Sequence, residues 1–185
     1  MNATELLIAW AAKHEVESVL ERMSGDARPL CGAIASAGAR MSVLVDNEDL
    51  AHAVRGGYDA CDARLASRPG ELAKHDLVVL HGCRIREAEI VVLAKLAVKL
   101  VVVIAPNPGA LAARVRGTGV WGATESLAPV LWSLGRVREH VFVDFPALAA
   151  GIPRLLRALA RSHVFVVDVT PRSPQARRKL RLSAQ

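Results

Sequence analysis

Apolar and polar positions along the chain alternate between short strand-like runs and helix-like stretches. A first helix is predicted over Asn2–Lys13. "EVESVLE" (Glu15–Glu21) carries β-branched residues, predicts a strand, and runs into the polar turn "RMSGDA". "RPLCGAIASAG" predicts a helix of small residues, with Asp26 as its N-cap, Pro29 in its first turn and Gly38 as its stop. "MSVLVD" (Met41–Asp46) is continuously apolar up to its last residue, as a strand buried on both faces should be. "NEDLAHAVRGG" reads as a short helix closed by glycines, and "YDACDA" (Tyr58–Ala63) as a short third strand.

The second half repeats the alternation. "HDLVVLHG" predicts a fourth strand, "EAEIVVLAKLAV" a helix, and "KLVVVIAPNPG" a fifth strand stopped by two prolines. Helices are expected in "GALAARVRG", "TESLAPVLWSLG" and "PALAAGIPRLLRALARS", the last bent or delayed at Pro153. "REHVFVDF" and "HVFVVDV" complete the strands; within Val137–Val169, "HVFVDF" either pairs fully or only leads into its helix. Alternation with fully apolar strands implies an α/β fold, a mostly parallel sheet with helices on both faces. No linker or repeat divides the chain, so residues 1–170 are expected to form one domain, with an N-terminal helix in 1–14 and a basic tail in 171–185.

Composition narrows the class. A chain of 185 residues with 52% hydrophobic and 23% charged residues is a globular sequence, not a disordered one. Lys95 and Lys99 interrupt its most apolar stretch, which excludes a membrane span there, and Glu5 stands where a secretory leader needs basic residues. A cytoplasmic location is the default expectation. Cys31, Cys61 and Cys83 have no metal-ligand spacing and read as small buried hydrophobes, so no metal site is expected. A net charge of +6, much of it in "PRSPQARRKLRL", suits either a solvated tail or contact with nucleic acid. Gln175 and Gln185 are the only glutamines, a scarcity of heat-labile amides expected of a thermophilic source.

In a parallel α/β sheet, ligands bind beyond the carboxyl ends of the strands, so the residues ending each strand are the candidates. The first strand ends at Glu21 and leads through Met23 to Gly25, where a ligand can approach the backbone. The second ends at Asp46, followed by Asn47; an acid here can accept both hydroxyls of a ribose. The third is expected to end near Asp62 and Ala63, and the fourth at His81.

This order resembles the class I S-adenosylmethionine-dependent methyltransferases. Their first motif, Glu/Asp-x-Gly-x-Gly-x-Gly, falls on "ERMSGDA", where Glu21 and Gly25 match while Met23 and Ala27 stand in place of glycines. Asp46 matches the family's acid at the end of the second strand, and Asp62 its adenine-contacting Asp. "HDLVVLHGC" is similar to the fourth-strand motif, and the likeness extends over about Val16–Val169. The resemblance implies a Rossmann-like seven-stranded sheet with an antiparallel last strand. It also implies S-adenosylmethionine as cofactor, held by Glu21, Met23, Gly25, Asp46, Asn47, Asp62, Ala63 and His81.

Activity is then methyl transfer to a nucleic acid or small-molecule acceptor. Methyl transfer needs chiefly alignment and exclusion of water, and no residue is singled out as catalytic. Two alternatives stay open. One is a non-catalytic relative that binds nucleic acid or a protein. The other is a nicotinamide oxidoreductase, for which "SGDARPLCG" lacks the paired glycines.

Overall fold

The computed structural model describes residues 2–24, 29–58, 61–68, 71–81, 87–106, 124–143 and 162–170. The first half contains α1 (Ala3–Lys13), β1 (Ser18–Met23), α2 (Gly32–Ser36), β2 (Arg40–Val45), α3 (Glu48–Gly57), β3 (Cys61–Leu65) and β4 (His75–His81). The second contains α4 (Glu87–Ala94), β5 (Ala97–Pro106), α5 (Thr124–Leu134), β6 (Arg136–Val143) and β7 (Ser162–Asp168). The helices expected at "GALAARVRG" and "PALAAGIPRLLRALARS", and the tail 171–185, lie outside the described residues.

All seven strands join one sheet in the order β3–β2–β1–β4–β5–β7–β6. Pairings from β3 through β5 are parallel, and β7 runs antiparallel to both β5 and β6. This is the mostly parallel sheet with an antiparallel last strand that the resemblance implied. "HVFV" pairs fully: β6 matches β7 from Arg136↔Asp168 to Val143↔Ser162, with one irregularity between Val137 and Glu139.

Alternation along each strand divides the core between the two faces of the sheet. Val19, Met23, Val43, Val79, Val102 and Val166 pack on one face with Leu6, Leu7 and Trp10 of α1. Leu20, Leu44, Val78, Leu80, Val101 and Phe165 pack on the other with Ile90 of α4 and Leu131 of α5. Each such side chain contributes roughly 1.5–3 kcal/mol by leaving water. The expected central strands β2 and β5 are indeed interior, and Val43–Val45 and Leu100–Ala105 are buried throughout.

Local signals explain most element boundaries. Asn2 caps α1 by accepting the Glu5 N–H at 2.8 Å, and the Glu5 carboxylate returns the bond to Asn2 N–H at 2.9 Å. Gly38, at φ 99°, ends α2 in a conformation that favours glycine. α2 itself starts at Gly32, later than expected, and Asp26, the expected cap, lies outside the described residues. A Cβ at Gly32 would collide with the Tyr58 ring, which follows α3.

One strand is shifted from its expected place. β3 occupies Cys61–Leu65, not Tyr58–Ala63. Its register pairs Asp62 with Ser42 and Leu65 with Val45, and Ala66 N–H continues the ladder to Val45 O at 2.8 Å. No helix among the described residues is long and apolar enough to cross a membrane.

Candidate functional site

Parallel pairing brings the carboxyl ends of β1, β2, β3, β4 and β5 to one edge of the sheet. Met23 lies level with His81, His81 with Ile104, and Val45 with Leu65. The edge therefore gathers Met23 at the end of β1, Asp46 after β2, Ala66 after β3 and His81 at the end of β4.

Glu21 is fully buried, one residue short of Arg22 and two short of the strand end. Its Oε1 accepts the Leu30 N–H at 3.0 Å and its Oε2 the Cys31 N–H at 3.1 Å. Burial pushes its carboxyl up from the ordinary range, and the two backbone N–H groups partly oppose that rise. The same burial, with Glu21 beside it, pushes the Cys31 thiol well up, so Cys31 is a packed hydrophobe. Glu21 thus caps the approach to α2, supplying the acceptor that Cys31 does not. His81, a fifth of its side chain exposed, sets Nδ1 3.9 Å from Glu21 Oε1.

Met23 is fully buried, in the core cluster on the α1 face of the sheet. Among the described non-glycine residues only Glu15 has a positive φ, so Met23 keeps ordinary strand geometry without strain. It offers the site its backbone, whose carbonyl accepts Arg22 Nη1 at 2.5 Å. Gly25 lies outside the described residues.

Asp46 follows β2 directly, with 28% of its side chain exposed. Its Oδ1 accepts Arg22 Nη2 at 2.7 Å. Arg22 Nε donates to Glu89 Oε1 of α4 at 2.5 Å. Next to it, Asn47 caps α3, its Oδ1 accepting the Leu50 N–H at 2.8 Å. That oxygen is committed to the helix, which leaves the amide N–H₂ as the remaining polar group of the side chain.

Asp62 and Ala63 do not join this edge. With Asp62 level with Ser42, four positions before Asp46, it sits about 13 Å back along the sheet at a rise of ~3.3 Å per residue. Asp62 instead pairs with Arg64 at 2.7 Å on an exposed surface, and buried Ala63 gives its carbonyl to Arg55 at 2.6 Å. β3 begins three residues later than the sequence predicts, because Tyr58 is taken up in ending α3.

Arg22 is the residue the sequence reading missed. A signal existed: a lone arginine between Leu20 and Met23 in a strand buried along its length must find acid partners inside the fold. Among the described residues no group of histidine, cysteine and acidic side chains is arranged to hold a metal ion.

Solved structures share this architecture. Magnesium protoporphyrin IX methyltransferase from Synechocystis PCC 6803, with bound S-adenosylhomocysteine, matches with a TM-score of 0.64 at 14% identity, covering 89% of this chain and 81% of that one. The N-methyltransferase NodS from Bradyrhizobium japonicum WM9 gives 0.68 at 13%, covering 91% and 94%. The fold is that of the class I methyltransferases. A geranyl diphosphate C-methyltransferase from Streptomyces coelicolor A3(2) matches with a TM-score of 0.59 at 8% identity, covering 90% and 76%. No family model matches the chain, and no curated protein matches it in sequence. At these identities the likeness to the methyltransferases is one of fold.

The edge can be tested for its fit to an adenosyl cofactor residue by residue. Asp46 fits: it is an exposed-edge carboxylate with one oxygen tied back and acceptor capacity remaining for hydroxyl donors. Glu21 fits as the brace of the first turn and not as a direct ligand, since both oxygens are taken and no part of it reaches solvent.

Proposed function

We propose that the protein binds S-adenosylmethionine and transfers its methyl group. The observation that carries this reading is Asp46, a partly exposed carboxylate ending β2 at the carboxyl edge of a class I methyltransferase fold, where a ribose would need an acceptor pair. Asp46 would take the ribose hydroxyls, the end of β1 would lie nearest the methionine portion, and the end of β3 at Leu65–Ala66 would flank the base. His81, at the end of β4, would line the same edge.

When bound, the cofactor supplies a methyl group already activated by a sulfonium, so the chain's own task is to orient it and exclude water. The structures of similar fold are named for a porphyrin, an N-methylated and a prenyl diphosphate substrate, which supports the donor and leaves the acceptor class open.

A second reading has one specific observation behind it. Met23 fills core volume where the family motif has its first glycine, as a binding module that no longer needs the cofactor could allow. Calorimetric titration with S-adenosylmethionine and S-adenosylhomocysteine separates the two. Saturable binding at micromolar to sub-millimolar concentration supports the methyltransferase reading. No heat of binding at millimolar ligand overturns it in favour of the binding module.

A further inference from the structure

Arg22 occupies a position where stability alone would favour an apolar side chain. It lies level with Leu44 of β2 and Leu80 of β4, in the layer that also holds Leu20 and Val78, and only 5% of its side chain is exposed. Burying a guanidinium is costly, and replacing a buried ion pair by packed hydrophobes is often neutral or stabilising. Its partners are not buried with it: Asp46 and Glu89 keep 28% and 29% of their side chains exposed. The cation is thus spent on two carboxylates that water could have served.

What the arrangement does is geometric. The guanidinium fork is fixed by Met23 O and Glu89 Oε1 on two of its nitrogens, and the third, Nη2, holds Asp46 Oδ1. Asp46 follows the last residue of β2, where its carboxylate would otherwise turn freely about two side-chain bonds. With Oδ1 tied from inside the sheet, the carboxylate is restrained before any ligand arrives. Two carboxylates against one guanidinium also leave an excess of acceptors at the edge, as hydroxyl donors require.

We propose that Arg22 is a positioning residue for the nucleoside half of the ligand, acting through Asp46, with Glu89 and the Met23 carbonyl fixing the guanidinium from behind. This rests on the reading that Asp46 receives ribose hydroxyls. It predicts an energetic coupling between Arg22 and Asp46 toward the ligand that a purely structural arginine would not have.

The test is a double-mutant cycle on the full chain, read by calorimetry with S-adenosylhomocysteine, with thermal unfolding recorded for each variant. Arg22→Met is expected to weaken binding about tenfold in the wild-type background and less than about twofold in Asp46→Ala. Glu89→Gln, which frees one arm of the fork but keeps the arginine, is expected to weaken it about two- to threefold and serves if Arg22→Met does not fold. Adenosine should show the same dependence on Glu89, and 2′,3′-dideoxyadenosine none, because it lacks the hydroxyls Asp46 would hold. Equal losses for Arg22→Met with and without Asp46, or equal losses for the two nucleosides with Glu89→Gln, overturn the positioning role while leaving the methyltransferase reading intact. Wild-type chain that binds none of the three probes at millimolar concentration overturns both.

Discussion

Glu21 Oε2 accepts the backbone N–H of Cys31 at 3.1 Å, and its other oxygen accepts the neighbouring Leu30 N–H at 3.0 Å. The acid that opens the first motif therefore holds the chain on the far side of the turn. Glu21→Ala should lower the free energy of unfolding by about 2–4 kcal/mol, because it orphans two N–H groups and opens a cavity. Glu21→Gln keeps one acceptor and should cost about 1–2 kcal/mol. Urea unfolding measures both. Had Glu21 been a direct ligand, Glu21→Gln would abolish cofactor binding with stability unchanged, and that outcome would refute the bracing role.

Asp46 and Asp62, two of the three acids expected at the site, sit at different heights along the sheet and should behave differently. Asp46→Ala is expected to weaken S-adenosylhomocysteine binding about ten- to a hundredfold, the worth of charge-assisted bonds of roughly 1.5–3 kcal/mol. Asp62→Ala should change that affinity less than about twofold. Its exposed pair with Arg64 is screened by water and adds little to stability. Equal losses for the two variants would put the ligand elsewhere.

The strands were legible because burial on both faces writes itself as unbroken apolar runs: "VLVD" and "LVVVIA" could hardly be anything else. β3 was not, since it lies at the sheet's edge. Only Ala63 of its five residues is buried, so "CDARL" carries no apolar run and its boundary slid three residues toward Tyr58. That slip carried Asp62 and Ala63 into the candidate site. Asp46 was legible as an acid closing an apolar run. Arg22 was not, because its meaning depends on Glu89, which only the folding of α4 against the sheet brings near.

His163 gives the fold a pH dependence. It is buried against Phe165 and His140, the rings 4.8 and 5.3 Å apart, with His140 Nε2 3.2 Å from its Nδ1. Burial, then the neighbouring His140, push its pKa down to about 4. The unfolded chain, with an ordinary histidine near 6.5, takes up a proton between pH 6.5 and 4 that the folded chain refuses. Stability is therefore complete above about pH 6.5 and falls on acidification, by about 2–3 kcal/mol at pH 4.5. His163→Phe should flatten urea midpoints across this window; an undiminished slope would assign the acid sensitivity to other groups.

The positive excess in residues 171–185 makes a prediction about partners. If nucleic acid is bound there, affinity should fall steeply with salt as phosphate contacts release counterions. Deleting Pro171–Gln185 should then lower both the affinity and the slope of that salt dependence, measured by fluorescence anisotropy with a labelled oligonucleotide. Binding that survives the deletion unchanged would leave the tail a solvated extension.

Met23→Gly tests what the missing glycine means. Restoring the family's motif would be expected to help only if the methionine side chain crowded the cofactor. In this fold the side chain is buried in the core cluster on the α1 face of the sheet, with ordinary strand geometry. Removing it should cost about 3–5 kcal/mol, from the cavity and from the freedom glycine returns to the unfolded chain. Binding of S-adenosylhomocysteine to the remaining folded protein should be no tighter than wild type. Tighter binding by Met23→Gly, after correction for the folded fraction measured by circular dichroism, would show that the methionine obstructs the site from its place in the core.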